Sequence, residues 1–279
     1  MENALTKHAQ ILKSFGLSLV IAACGAVLVG LQQSRLMELK SSEDLTPESV
    51  ARLAIAEKNN IALWKSLPAF GYDNLLSDWA FLRFLQYFGD SEARAMGNYE
   101  LSADFFDIIV DHDPWFTEGY YYLSGSSSLF AGTADRTVDI LNRGLAEMSP
   151  RQPEEGHYIW RMKAIDEHLF LGDIDASVRS YLKAAEWAGY YDDAASRNAV
   201  QRSQSSAAFL VRDPRSIMAQ VTAWSGILGQ ARDADTQARV IRELEKLGVA
   251  VRIDENGQVR FKVPPEILEA EKEALQISE

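Results

Sequence analysis

From Thr46 to about Leu247 the apolar residues of this chain recur at three- and four-residue spacing, and that period constrains the fold more than any other feature. Leu53, Ala56, Ile61 and Trp64 open the series, and Leu75, Trp79, Leu82 and Leu85 continue it. The segments run roughly 12 to 20 residues and are broken by Gly, Pro or Asp, so the spacing predicts a succession of helices joined by turns. Thr46-Pro47-Glu48-Ser49 reads as the first helix start, with Thr46 as N-cap, Pro47 at the first helical position and Ser49 where a capping box would carry Glu. Near the end the period switches to two. Val249 to Ile253 and Gln258 to Val263 flank Asp254-Glu255-Asn256-Gly257, the pattern of a β-hairpin turning on Asn256-Gly257. Pro264-Pro265 stops it, and a charged helix from Glu266 to Leu275 is expected to follow. The expected class is all-α: a helical domain over 47–247, then a small hairpin and helix over 248–279.

The N-terminus carries a different signal. Phe15 to Leu31 holds no charge and, Ser18 aside, no strongly polar side chain. At ~1.5 Å per residue such a run spans roughly 25 Å as a helix, close to the hydrocarbon thickness of a bilayer. We read residues 1–14 as a short tail, 15–33 as a single transmembrane anchor and 34–46 as a linker containing Ser41-Ser42-Glu43-Asp44. Lys7 and Lys13 precede the run and Arg35 and Lys40 follow it, so the positive-inside rule does not separate the two orientations. The short tail favours an N-terminus inside, with the rest of the chain periplasmic or lumenal. Two other readings stay open. A cleaved signal peptide lacks a clean small-x-small site. A lipoprotein signal is the second, since Ile21-Ala22-Ala23-Cys24 resembles a lipobox with Cys24 as the lipidated residue, although Gly25 to Val29 stays apolar where a polar linker is usual.

Charge narrows the partners. With 40 acidic against 28 basic residues the formal net charge is -12, which argues against nucleic acid and against adsorption to anionic headgroups. Cys24 is the single cysteine, so no intramolecular disulfide and no multi-thiolate zinc site is possible.

Stacking the helical segments on their glycines brings out self-similarity. Tyr121, Gly125, Gly132, Thr137, Leu141 and Gly144, ending at Pro150, form one segment. Trp160 to Ala188 forms a second, with Gly172-Asp173 at the turn and Ser177, Tyr181 and Ala184 after it. An earlier one has Trp79, Phe81 and Gly89, then an insertion from Asp90 to Glu100, then Ser102, Phe106, Ile109 and Pro114. Segments 194–211 and 214–230 read as a further, degenerate helix pair across Asp213-Pro214. These segments resemble tetratricopeptide repeats, helix pairs of ~34 residues that stack into a solenoid. Phe70 to Trp79, with Gln86 to Asp90, is also similar to membrane-anchored repeat proteins of cyanobacteria. The resemblance implies a membrane-held scaffold or assembly factor that binds other proteins, with photosynthetic-membrane (thylakoid) biogenesis as a candidate process.

In that family helix-A side chains line a concave groove. The register places Trp79, Arg83, Tyr87, Tyr122, Ser126, Leu129, Asp166 and Phe170 there, as a candidate protein-binding set. Plain core packing is the rival reading for the aromatic members, and mutual pairing or solvent exposure for Arg83 and Asp166. No phosphate loop, dinucleotide fingerprint, His-Glu-x-x-His helix or nucleophile elbow occurs, so no cofactor, metal, catalytic residue or small-molecule substrate is nominated. Asp111-His112-Asp113 reads as a helix-end turn, and His157, Asp166, Glu167 and His168 as exposed helix faces. Ser180-x-x-Lys183 lacks the companion elements of a serine hydrolase. A structural subunit of a membrane complex, or an anchored hydrolase without a recognisable motif, remains the alternative.

Overall fold

The computed structural model describes residues 23–30, 32, 45–253, 259–267 and 269. Residues 23–30 are helical and exposed, with Cys24 a free thiol. Most of the apolar run Phe15–Leu31, the Asp254–Gly257 turn and most of the Glu266–Leu275 helix lie outside the described residues. No helix among the described residues is long and apolar enough to cross a membrane.

The chain divides into two units, Met1–Val50 and Ala51–Glu279. The first ends in the opening turn of helix α1 (Pro47–Ser66). Thr46 caps it as expected, and Ser49 takes the place of Glu: its amide donates to Thr46 Oγ1 at 3.2 Å, while Thr46 N donates to Ser49 Oγ at 3.0 Å. A reciprocal pair of this kind satisfies two otherwise orphan amides.

The second unit is helical almost throughout. It runs from the rest of α1 through α2 (Asp73–Gly89), α3 (Ser91–Met96), α4 (Ser102–His112), α5 (Thr117–Leu123), α6 (Ala134–Ala146), α7 (Gly156–Asp166), α8 (Ile174–Ala188), α9 (Ala194–Arg212), α10 (Ile217–Gln230) and α11 (Ala234–Lys246). Helices α5 and α7 each continue into a π-helical turn, Ser124–Phe130 and Glu167–Leu171. Strands β1 (Ala250–Ile253) and β2 (Val259–Lys262) pair antiparallel, Ala250 opposite Lys262 and Ile253 opposite Val259, in the hairpin the alternation predicts.

Consecutive helices pack in pairs: α2 on α4, α5 and its π-turn on α6, α7 on α8. Gly132 and Gly172, at φ 69° and 67°, close the turns of two of these pairs, conformations that a side chain resists. The two turns lie further apart in the chain than the ~34 residues of a tetratricopeptide unit. The insertion Asp90–Glu100 folds as α3 and a following turn. Two cores result. Phe84, Phe88, Phe105, Phe106 and Tyr120 dominate the first, and smaller residues with Tyr181, Trp224 and Leu210 form the second. Gly144 is where the first is tightest: a Cβ there would lie 1.9 Å from the Tyr120 hydroxyl.

One expected pairing is corrected. Helix α9 does not pair chiefly with α10 across Asp213-Pro214; it packs on α8, while α10 pairs with α11. The reason lies in α10, whose buried Val221, Trp224, Ile227 and Leu228 are shared among α7, its π-turn and α9 in the second core instead of being given to α9 alone.

Candidate functional site

Helix α10 lies across α7 and its π-turn, and α11 reaches the π-turn that follows α5. Phe170 meets Trp224 edge to face at 5.7 Å, a Cβ on Gly226 would stand 2.9 Å from Ile165 Cδ1, and one on Gly125 3.3 Å from Thr236 Cγ2. Arg232 sits over the Tyr121 ring at 5.0 Å, and Ser91 Oγ donates to Asp235 at 2.6 Å. The seam leaves a cavity of only about 10 Å³, bordered by Tyr120, Ser124, Ile165 and Ile227. The face that a helical-repeat groove would use is therefore covered, over α5 and α7, by the chain's own helices.

The eight groove candidates separate accordingly. Leu129 and Phe170 are half-buried beneath this cover, in the second core. Ser126 is fully buried, and Tyr122 packs edge to face on Phe81 and Phe84 in the first core. Tyr87 is buried too: its hydroxyl donates to Asn98 O at 2.9 Å and accepts from Leu101 N at 3.3 Å, with Arg94 stacked 3.9 Å from the ring centroid. It fixes the α3 loop. Arg83 and Asp166 neither pair with each other nor stand in solvent. Arg83 binds Glu57 of α1 at 2.5 Å, and Asp166 has no exposure at all. Only Trp79 keeps a large free surface, at 52% exposure.

Asp166 belongs to a buried polar network at the junction of the π-turns. The Ser124 hydroxyl donates to its Oδ2, while Oδ1 has no protein partner. Burial raises its carboxyl from 3.8 to about 7, opposed in part by the Ser124 and Ser128 hydroxyls. Next to it Lys163 Nζ donates to Glu167 Oε1 at 2.6 Å and to Ser180 Oγ at 3.0 Å, and Ser180 donates to Glu167 Oε2 at 2.6 Å. The expectation of exposed faces for His157, Asp166, Glu167 and His168 is thus overturned, since all four are buried and burial lowers the pKa of both histidines. Tyr158, Ile159, Trp160, Met162, Ala164 and Ile165 between them belong to a helix that is buried on nearly every side, so its polar residues are enclosed as well. Ser180 pairs with Lys163 instead of Lys183, which is exposed and bound to Glu186. With Ser180 shut in and Ser124 beside a water-sized cavity, the network holds helices together and leaves a substrate no room. No group of three or more potential metal ligands is assembled among the described residues.

On the outer side of α4, Asp104, Asp107 and Asp111 interleave with Lys65, Arg136 and Arg143 along a cleft of about 450 Å³. Arg136 reaches Asp104 at 2.9 Å and Asp107 at 2.6 Å, and the three cations around Asp107 hold its carboxyl below the usual range against the opposing effect of burial. His112 closes onto Asp73 at 2.9 Å, so the Asp111-His112-Asp113 turn ties α4 to α2.

The open surface of the unit is the α1–α2 hairpin. Leu53 and Leu63 of α1, Leu67 just past its end, and Leu75, Trp79 and Leu82 of α2 are all exposed, and Phe70, at φ 51° in the connecting turn, is 84% exposed. Trp64 meets Trp79 edge to face at 6.4 Å. With the Arg83–Glu57 pair, that contact sets α1 antiparallel to α2. Sequence reasoning singled out Trp79 alone. The signal for the rest was present: α1 carries two apolar stripes, Ile61 with Trp64 and Leu53 with Leu63, and a helix needs only one to seat on its neighbour. No family model matches the chain, and no curated protein or solved structure matches it either.

Proposed function

We propose that the protein is a membrane-tethered helical-repeat scaffold of the tetratricopeptide type, which binds other proteins through the apolar face of the α1–α2 hairpin. The observation that carries this reading is the exposed set around Trp79. Contiguous apolar surface of this kind is retained where something covers it, and aromatic side chains are favoured anchors of protein interfaces. The covering of α5 and α7 by α10 and α11 moves the expected binding face from the groove to this end of the stack. The run Phe15–Leu31 supplies the tether, and tethering raises effective concentration so that modest contacts suffice. Subunits of membrane complexes are the partners this arrangement favours, with assembly of photosynthetic-membrane complexes the candidate process.

The test is gentle detergent extraction of native membranes, purification of the full chain and mass spectrometry of what accompanies it, beside a Trp79→Ser, Leu82→Gln variant. Stoichiometric foreign membrane proteins, lost in the variant while its helical circular dichroism persists, are the expected result. Purification without any foreign protein would overturn the reading.

A further inference from the structure

Burying a charged side chain is costly unless oxygens replace the water it loses, so a buried arginine is expected in an ion pair. Among the described residues three lysines and arginines are buried: Arg94, Arg161 and Lys163. Arg94 donates to Asn98 O at 2.6 Å, and Lys163 to Glu167 Oε1 at 2.6 Å. Arg161 has no such oxygen. Its Nη1 is buried without a hydrogen-bond partner, and the residue keeps 9% exposure, enough to leave an edge of the side chain within reach of solvent.

The surroundings of Arg161 deepen the anomaly. Burial pushes its pKa down, and the like charge of Arg202 adds to that; only the phenols of Tyr158 and Tyr181 oppose them. No carboxylate among the described residues stands near enough to take part. This is a chain with 40 acidic residues against 28 basic ones, so two neighbouring arginines without an acid are not what its composition would supply by chance. The fold explains how they meet. Helices α7 and α9 both pack along α8 and scarcely touch each other. Arg161 comes from α7 and lies over the Tyr181 ring of α8, 6.0 Å from its centroid, the outer limit of a cation–π contact. Arg202 comes from α9, one turn before Ser206, which bonds the Tyr181 hydroxyl. The two cations therefore reach the same tyrosine from opposite flanks of α8.

Two unopposed positive charges call for two negative ones. A single carboxylate would leave one cation unmatched, whereas a phosphate group carries nearly two charges at neutral pH and offers several acceptor oxygens. Guanidinium forks fit such oxygens bidentately. We propose that Arg161 and Arg202 form a binding site for a doubly charged phosphate group, free or as the monoester of a small molecule, between α7 and α9. The site is separate from the α1–α2 face and stands or falls independently of the scaffold reading.

The experiment titrates the full chain, in a maltoside detergent at pH 8 and constant ionic strength, with inorganic phosphate, with glycerol 3-phosphate and with acetate, by calorimetry. Saturable binding of phosphate and none of acetate is the expected result. Arg202→Gln changes an exposed side chain and should weaken phosphate binding by about tenfold, the loss of one charge-assisted hydrogen bond. Arg197→Gln removes an exposed arginine from the same helix, one already paired with Asp192, and should leave binding unchanged. Arg161→Met should abolish binding and yet unfold, in chloride alone, at no lower temperature than the wild type, because it removes a buried charge that the protein leaves unpaired. If Arg161→Met does not fold, the contrast between Arg202→Gln and Arg197→Gln decides. Tighter binding of glycerol 3-phosphate than of phosphate identifies the ligand as a phosphate ester, and weaker binding identifies it as the free ion; both outcomes support the site. Acetate binding as tight as phosphate, equal losses in Arg202→Gln and Arg197→Gln, or the absence of saturable heat overturns it. Stabilisation by phosphate that never saturates is the general effect of excluded salts and also counts against the site.

Discussion

Two helical faces of this molecule have nearly the same make-up and opposite fates. Over α5 and α7, Phe170, Leu129 and Ile165 lie under α10, and Gly125 and Gly226 let the covering helices approach. Over α1 and α2, leucines and Trp79 of the same character face outward. Apolar composition alone does not separate them; what does is whether the chain supplies a later element to lie there. α10 and α11 arrive at one face, and nothing among the described residues arrives at the other. A closed face has become core, where substitution is felt as stability. An open face is a site, where substitution is felt as binding.

The sharpest way to break the comparison is to cut one tryptophan from each face. Trp224→Ala should destabilise the chain by about 3–5 kcal/mol, the range for large aromatic truncations in a packed interior. Trp79→Ala loses chiefly its edge contact with Trp64, about 1 kcal/mol. Urea unfolding measures both. Equal losses would mean that Trp79 is as covered as Trp224, and the distinction between the faces would go.

The closed side also predicts a pH dependence. Asp166, buried between the π-turns, holds its proton in the folded chain up to about pH 7, whereas the unfolded carboxyl releases it near 3.8. Between those values the unfolded chain sheds a proton that the folded chain keeps, so stability falls as pH rises. Three units correspond to up to about 4 kcal/mol, as an order of magnitude. Asp166→Asn should remove this fall, leaving stability near wild type at or below pH 4 and above it at pH 8. A wild-type and variant difference that does not change between those pH values would show Asp166 already ionised below pH 5.

These two sites mark what was legible in the sequence. Helical period and turn glycines placed the elements well, since Gly132 and Gly172 report local backbone needs that no distant contact alters. The hairpin strands were legible for the same reason. Asp166 was not, because a single carboxylate in a helix gives no local sign that Ser124, more than thirty residues earlier, will meet it. Nor was the cover of the groove. The period of α10 shows that it buries a face, but that α7 and its π-turn share that face with α9 is decided by packing across the whole unit. Trp79 is exposed, whereas the other members of the register that singled it out are buried or half-buried.

A smaller effect probes tightness on the closed side. Gly144→Ala puts a methyl where the Tyr120 hydroxyl lies, 1.9 Å from its oxygen. That hydroxyl donates to Pro114 O at 2.9 Å, so moving aside gives up a buried hydrogen bond. Overpacking of this kind costs about 1–3 kcal/mol. Gly144→Ala with Tyr120→Phe should recover part of the loss, and thermal unfolding of the single and double variants checks it. No recovery would mean that the strain falls on the backbone of α6 and not on the ring.

The smallest stability effect belongs to the open side, and its smallness is the point. Leu82 is 55% exposed on the outer face of α2, and Leu228, at 6%, is its counterpart within α10. Leu82→Gln keeps the helix propensity and loses little buried area, so unfolding should shift by no more than about 0.5 kcal/mol. Leu228→Gln buries an amide without a partner and should cost several times as much. The same Leu82→Gln change should weaken association of the full chain in membranes, because the leucine is covered only when something is bound to it. A variant that keeps its stability and loses its partners is what an open face demands. One that keeps both would place Leu82 outside the interface and shrink the site to the α1 stripe and Trp79.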